Sequence, residues 1–138
     1  MIELTLQKIT AILKQADCQV SPATDTEKHT APKNTILVTT SVHFGLWITV
    51  EEDRLRFCTF YSGTEYAKTH PAQFLYLINS FNETSDVTKY FVSLDSNVTA
   101  SAYLYGAFNQ GVFVRLFLCW ADDVRAFKEL TGISEFIM

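Results

Sequence analysis

The stretch YLINSFNETSDVTKYFVSLDSNVTASAYLYGAFNQGVFVRLFLCWADDVRAF, residues 76–127, decides the fold. It begins within a run of apolar residues at helical spacing, which starts at Pro71 and should end near Asn82. Proline suits the first turn of a helix because its missing N–H has no intrahelical partner there. Two β-rich runs follow at residues 89–94 and 98–105, with a turn signal between them. The stretch therefore predicts a helix followed by an antiparallel β-hairpin.

The end of this stretch is ambiguous between a strand and a helix. Between residues 112 and 120 only Arg115 is polar, and the β-branched and aromatic content would suit a strand. Residues 122–130 place charged and apolar side chains at helical steps, so we predict a helix over residues 109–130. Its first half is apolar around much of its circumference, which is typical of a helix covered on more than one side. We expect a second subunit or a partner protein to provide the second cover.

The first half of the chain adds a helix and more strands. Residues 2–17 carry apolar side chains at steps of four, three and four, which predicts an amphipathic helix. The polar segment 21–33 contains two prolines and no periodicity, so we interpret it as a loop. Three β-rich runs come next, at residues 35–40, 42–50 and 54–62. We therefore predict a single domain, residues 1–138, of the α+β class, with a five-stranded antiparallel sheet and three helices in the order αβββαββα.

Composition narrows the class of protein. The 138 residues are 48% hydrophobic and 19% charged, which is typical of a chain that folds into a globular core. The formal net charge of −4 argues against a general nucleic-acid binder, which needs a basic face. The N-terminus has neither the basic region nor the apolar block of a signal peptide, and no segment is typical of a membrane span. We therefore expect a cytoplasmic protein that binds neither nucleic acid nor membranes.

No pattern in the sequence indicates a catalytic, cofactor or metal site. The glycines are isolated, so phosphate-binding loops are absent, and no serine lies in a GxSxG motif. The acid pairs Glu51-Glu52 and Asp122-Asp123 are interpreted as solvated side chains. The histidines and cysteines lack the spacing of a zinc site, and we expect free thiols in a reducing compartment; these residues are His29, His43, His70, Cys18, Cys58 and Cys119. We predict a protein that is not an enzyme and has no cofactor.

The quoted stretch resembles the YbjN family of bacterial sensory transduction regulators. The resemblance rests on a helix that ends in Leu75 to Asn79 and Asn82, and on a strand that ends in Val92-Ser93-Leu94-Asp95. A second strand and a long helix after a glycine-containing loop complete the pattern. The resemblance implies a fold like that of the type III secretion chaperones, in a small domain that is often dimeric and holds other proteins. The family's motifs are structural, so no catalytic residue is carried over.

These observations lead to a non-catalytic protein-binding module, chaperone-like or regulatory, that acts through an apolar helix and sheet surface. Its expected partner is a protein, a peptide or a second copy of the chain in a homodimer. Apolar pockets would take partner side chains, and unpaired sheet edges could add a strand. The candidate interface residues are Trp47, Phe113, Phe117, Trp120 and Val124.

Two other functions remain open at this stage. A small-molecule sensor or an uncharacterised enzyme would need an aromatic pocket, for example with His43 and Arg56 near Trp47. A homodimeric assembly subunit would need no ligand, and its last helix would close the dimer.

Overall fold

The computed structural model describes residues 2–22, 34–40 and 45–138. In chain order, its elements are α1 (Ile2–Gln15), β1 (Gln19–Pro22), β2 (Thr35–Thr39), β3 (Gly45–Val50), β4 (Arg54–Tyr61), α2 (Glu65–Thr69), α3 (Pro71–Thr84), β5 (Lys89–Val92), β6 (Val98–Tyr105), α4 (Gln110–Lys128) and a 3-10 helix (Ile133–Glu135).

The strands form a sheet in the order β1-β2-β3-β4-β6-β5. Antiparallel pairing joins β1 to β2, β2 to β3, β3 to β4, and β5 to β6. The predicted class is therefore confirmed, because helices accompany an antiparallel sheet. The predicted number of elements is wrong, since the described residues contain six strands and four α-helices rather than five and three.

The additional strand is β1, which pairs through Val20 with Val38 of β2. Its second half belongs to the loop predicted over residues 21–33, so that prediction is wrong for residues 21 and 22. Proline cannot donate to a strand ladder and is therefore confined to the edges of sheets. β1 satisfies that condition, because it is the first strand in the sheet order. The rest of the predicted loop, residues 23–33, lies outside the described residues, as does the start of the predicted strand at residues 42–44.

The additional helix is α2, which has only five residues and therefore shows no apolar period. Thr64 begins it, because its side-chain oxygen accepts a hydrogen bond from the Ala67 N–H at 3.2 Å. Such a contact satisfies one of the free N–H groups of the first turn. His70 ends α2, and Pro71 opens α3 as predicted.

The chain divides into two compact units. The first unit comprises Met1–Thr59 with Tyr103–Phe108, and the second comprises Phe60–Ala102 with Asn109–Met138. A single domain over residues 1–138 therefore stays a prediction.

In the first unit, the central strands alternate between a buried and a partly exposed face. Ile48 of β3 pairs with Phe57 of β4, and both side chains are fully buried. Trp47 pairs with Cys58 on the opposite face, where both are only half-buried. Helix α1 contacts β1 and β3, and it buries Ile9. The period of two predicted over residues 42–50 is thus present at residues 46–48, whereas Thr49 on the partly exposed face is also buried.

The second unit has a core of aromatic side chains. Phe127 of α4 stacks on Tyr90 of β5 at a centroid distance of 4.3 Å, and Phe74 of α3 stacks on Phe136 at 5.1 Å. Each such pair contributes roughly 0.5–1.5 kcal/mol beyond the burial of its area. The hydroxyl of Tyr90 lies in this core, and burial raises its pKa strongly.

The segment that was ambiguous between strand and helix is the helix α4. Asn109 begins it, since its side-chain oxygen accepts from the Val112 N–H at 3.1 Å. The helix buries one face at steps of three and four, with Phe113, Leu116, Trp120, Val124 and Phe127. This period confirms the prediction, which had rested on the charged residues of the second half.

Candidate functional site

Helix α4 carries an apolar surface next to its buried face. We call it the α4 stripe, and it consists of Val114, Phe117, Leu118 and Ala121. Leu118 is 57% exposed, and the other three are half-buried. The four residues are spaced at i, i+3, i+4 and i+7, so they form one continuous line along the helix. The stripe is therefore an apolar surface that the described part of the second unit leaves in contact with water.

The structure separates the five candidate interface residues. Phe113, Trp120 and Val124 lie inside the second unit, with their side chains fully or almost fully buried. In this conformation they offer no surface to a partner. Phe117 is half-buried and lies on the α4 stripe, whereas Trp47 is half-buried on β3 of the first unit. Only Phe117 and Trp47 thus reach the surface.

Trp47 belongs to a second surface, which we call the cation–aromatic face. It lies in the first unit and comprises Trp47, Arg54, Arg56, Tyr103 and Tyr105. The guanidinium of Arg54 lies 4.9 Å from the centroid of the Tyr103 ring, and the rings of Tyr103 and Tyr105 are 6.1 Å apart. Tyr103 is 41% exposed and Tyr105 is 66% exposed. The aromatic rings and both cations therefore share one solvent-accessible side of the sheet.

The two arginines of this face differ in their partners. Arg54 forms an ion pair with Glu51, and this contact, with a smaller effect of the nearby Tyr105, raises the pKa of its guanidinium. Arg56 pairs across the strands with Thr49, and its Nε atom is buried without a hydrogen-bond partner. Burial of Cys58 raises the pKa of its thiol. The positive charge of Arg56 acts in the opposite direction, but its effect is smaller.

A side chain occupies part of the outer edge of β5. The amide group of Asn82, near the end of α3, donates to the Tyr90 carbonyl at 2.7 Å and accepts from the Tyr90 N–H at 2.8 Å. An added strand would use these same two backbone groups. Strand addition at Tyr90, which the sequence left possible, is therefore blocked in this structure.

Asp123 fixes the loop before this strand. Its carboxylate accepts from the N–H groups of Asp86, Val87 and Thr88 at 2.9–3.1 Å, and its side chain is only 8% exposed. The prediction that Asp122 and Asp123 are both solvated is therefore wrong for Asp123. Successive residues of a helix point about 100° apart, so one of the pair can be exposed while the other is buried. No local pattern indicated the contact, because its partners lie 35 to 37 positions away.

An open cleft of about 1040 Å³ lies in the first unit, at one end of α1. The start of α1, the β3–β4 turn and residues 104–108 form its walls. Neither Trp47 nor Arg56 is among the lining residues, and His43 lies outside the described residues. The aromatic pocket that a small-molecule sensor would need is therefore not the cleft seen here.

Residues 2–22, 34–40 and 45–138 contain neither a metal-binding cluster nor a membrane-spanning helix. No group of three or more histidine, cysteine or acidic side chains is placed to hold a metal ion there. None of the helices in the same ranges is both long enough and apolar enough to cross a membrane. The three cysteines are free and half-buried.

The element order and the antiparallel sheet define a small α+β protein of a known fold. No family model matches the sequence, and no curated protein matches it. Among solved structures, the crystal structure of YbjN from E. coli, described as "a putative transcription regulator", matches with a TM-score of 0.72. The match covers 96% of this chain and 95% of that chain at 8% sequence identity. The fold is therefore YbjN-like, as the sequence resemblance predicted, and at this identity the likeness establishes the fold alone.

Proposed function

We propose that this protein is a non-catalytic binding module, chaperone-like or regulatory, whose contact surface is the α4 stripe. The observation that carries the proposal is the line of apolar side chains along one helix that the fold leaves partly exposed, with Leu118 as its most exposed member. Anchors at i, i+3, i+4 and i+7 are the pattern by which an amphipathic helix packs into a groove of another protein.

The binding energy of the α4 stripe would come from burying its apolar side chains. Burying a fully exposed leucine or phenylalanine side chain stabilises a complex by roughly 1.5–3 kcal/mol. Single exposed apolar residues are common on soluble proteins, but adjacent ones that form a patch mark interaction sites. Phe117 and Leu118 lie next to each other in such a patch. Val114 and Ala121 extend the patch along the helix axis.

The proposed partner is a protein or peptide, or a second copy of the chain that forms a homodimer through the same stripe. A cytoplasmic location is part of the proposal, as is the absence of nucleic-acid and membrane binding. The net charge of −4 supports the exclusion of nucleic acid. The description of the E. coli protein as "a putative transcription regulator" agrees with a regulatory role, although the likeness extends only to the fold.

The test compares two leucines of the second unit. Leu118 lies on the stripe, whereas Leu75 is 49% exposed on α3 and serves as a matched control. We expect Leu118→Glu to abolish self-association in sedimentation or the capture of a partner from lysate, because a buried unpaired carboxylate is costly. Leu75→Glu should associate like the wild type, and both variants should keep the wild-type circular dichroism spectrum. Equal association of all three proteins would refute the α4 stripe as the contact surface.

A further inference from the structure

The cation–aromatic face is a separate surface, and it lies in a unit that does not contain the α4 stripe. The opposite side of the same strands is closed, since Ile48 and Phe57 are fully buried. On the cation–aromatic side, Tyr103 and Tyr105 keep much of their area in water, and Trp47 is half-buried. Tryptophan, tyrosine and arginine are the residues that most often dominate binding energy at protein interfaces.

Arg56 is the feature that indicates what this face binds. A guanidinium has five N–H donors in a planar fork that matches a carboxylate. Within the described residues, the ion pairs of the side chains involve Arg54, Lys68 and Arg125, and none involves Arg56. The buried Nε of Arg56 also lacks a hydrogen-bond partner. The guanidinium of Arg56 therefore carries a charge that no side chain of the described residues neutralises.

We propose that the cation–aromatic face binds an acidic peptide segment of a partner protein. A carboxylate of that segment pairs with the guanidinium of Arg56, and its apolar side chains lie on the rings of Trp47 and Tyr103. Arg54 is already paired with Glu51, so its role is to hold the Tyr103 ring in place by lying over it. The inference goes beyond the proposed function, because it names a different surface and the chemistry of its ligand.

Charge favours a peptide over a single-stranded nucleic acid. Successive phosphates of a nucleic acid require a row of cations, and affinity then depends strongly on salt. This face contributes two arginines, one of which is neutralised by Glu51, on a chain of net charge −4. One half-buried cation without an ion-pair partner, on the same side of the sheet as Trp47, suits an isolated carboxylate with apolar neighbours.

The test titrates the full-length protein with an acetylated, amidated decapeptide of alternating glutamate and leucine, and separately with the glutamine counterpart. Calorimetry measures the affinity, and acrylamide quenching of tryptophan emission locates the contact. Trp120 is buried, so a change in quenching on binding reports Trp47. We expect saturable binding of the glutamate peptide with protection of Trp47, and at least tenfold weaker binding of the glutamine peptide.

Variants at Arg56 test whether its guanidinium is the group that pairs with the carboxylates of the peptide. Arg56→Gln should weaken glutamate-peptide binding roughly tenfold or more, and Arg56→Lys should weaken it less, because it keeps the charge but loses the fork. Arg115→Gln, an exposed arginine on α4, is the matched control and should bind like the wild type. Thermal unfolding confirms that each variant is folded, and Arg56→Lys provides the test if Arg56→Gln does not fold.

Four results would overturn the inference: no saturable binding, equal binding of the two peptides, unchanged affinity of the folded Arg56 variants, or preferential binding of a thymidine oligonucleotide. Because Leu118→Glu leaves the cation–aromatic face intact, it should bind the glutamate peptide normally. The peptide titration therefore tests the cation–aromatic face independently of the proposal that the α4 stripe is a contact surface.

Discussion

Asn82→Ala removes the side chain that occupies the edge of β5. Two hydrogen bonds are lost, one to the carbonyl and one to the N–H of Tyr90. At roughly 0.5–1.5 kcal/mol each, their loss lowers the free energy of unfolding by about 1–3 kcal/mol. For a chain of 138 residues, that corresponds to a fall in Tm of roughly 3–9 °C.

The assay is urea unfolding followed by circular dichroism, with Asn79→Ala as the control. Asn79 is an exposed asparagine on the same helix, so its substitution removes an amide without touching β5. We expect the unfolding midpoint of Asn79→Ala to stay close to that of the wild type, since exposed substitutions usually change stability by less than about 0.5 kcal/mol. If Asn82→Ala is no less stable than Asn79→Ala, the bridge to Tyr90 contributes nothing and the reasoning fails.

Asn82→Asp separates the two hydrogen bonds. An ionised carboxylate still accepts from the Tyr90 N–H, but it has no proton to donate to the Tyr90 carbonyl. The protonated form can donate, so the folded state favours it and raises the pKa of the introduced carboxyl. The stability deficit of Asn82→Asp relative to wild type should therefore shrink as the pH falls from 7 towards 4. A deficit that is constant with pH would contradict the donor role of the Asn82 amide.

The remaining predictions concern a glycine and a thiol. Gly63→Ala should lower stability by about 1–3 kcal/mol in urea unfolding, because the added Cβ would lie 1.9 Å from the Ser96 carbonyl oxygen. Gly111→Ala is the matched control, since its Cβ meets no atom closer than 3.5 Å, and helix propensity predicts a gain. In a variant with Cys58 as the single cysteine, iodoacetamide should react more slowly at pH 8.5 than with a free peptide thiol, because burial raises the thiol pKa. Equal rates would contradict that burial.

The sequence predicted the elements whose periodicity extends over several turns or a whole hairpin. The strand predicted over residues 98–105 has those bounds in the structure, and α4 begins one residue after Asn109. The short elements α2 and β1 were not predicted, because they have five and four residues, too few to show a period. Such elements are fixed by a cap or by a neighbouring strand rather than by their own pattern.

The candidate surface could be predicted only in part. An apolar period shows that Phe113 and Trp120 share one face of a helix, but it does not show whether core or partner covers that face. Phe117 was selected with them for the same reason, and it lies at the border of the buried side. The roles of Asn82 and Asp123 required the structure, because each is defined by backbone groups of a separate segment.

The bridge between Asn82 and Tyr90 also limits how molecules of this protein could join sheet to sheet. A sheet with two available ends can add copies at both, which permits an open-ended filament. Here Asn82 engages the backbone groups of Tyr90 in β5, so a strand added at that position would first have to displace this side chain. When two copies pair through the same edge around a two-fold axis, both edges are used, and no edge of that kind remains for a third copy. One asparagine side chain thus makes growth at the β5 end costlier than it would be at a bare edge.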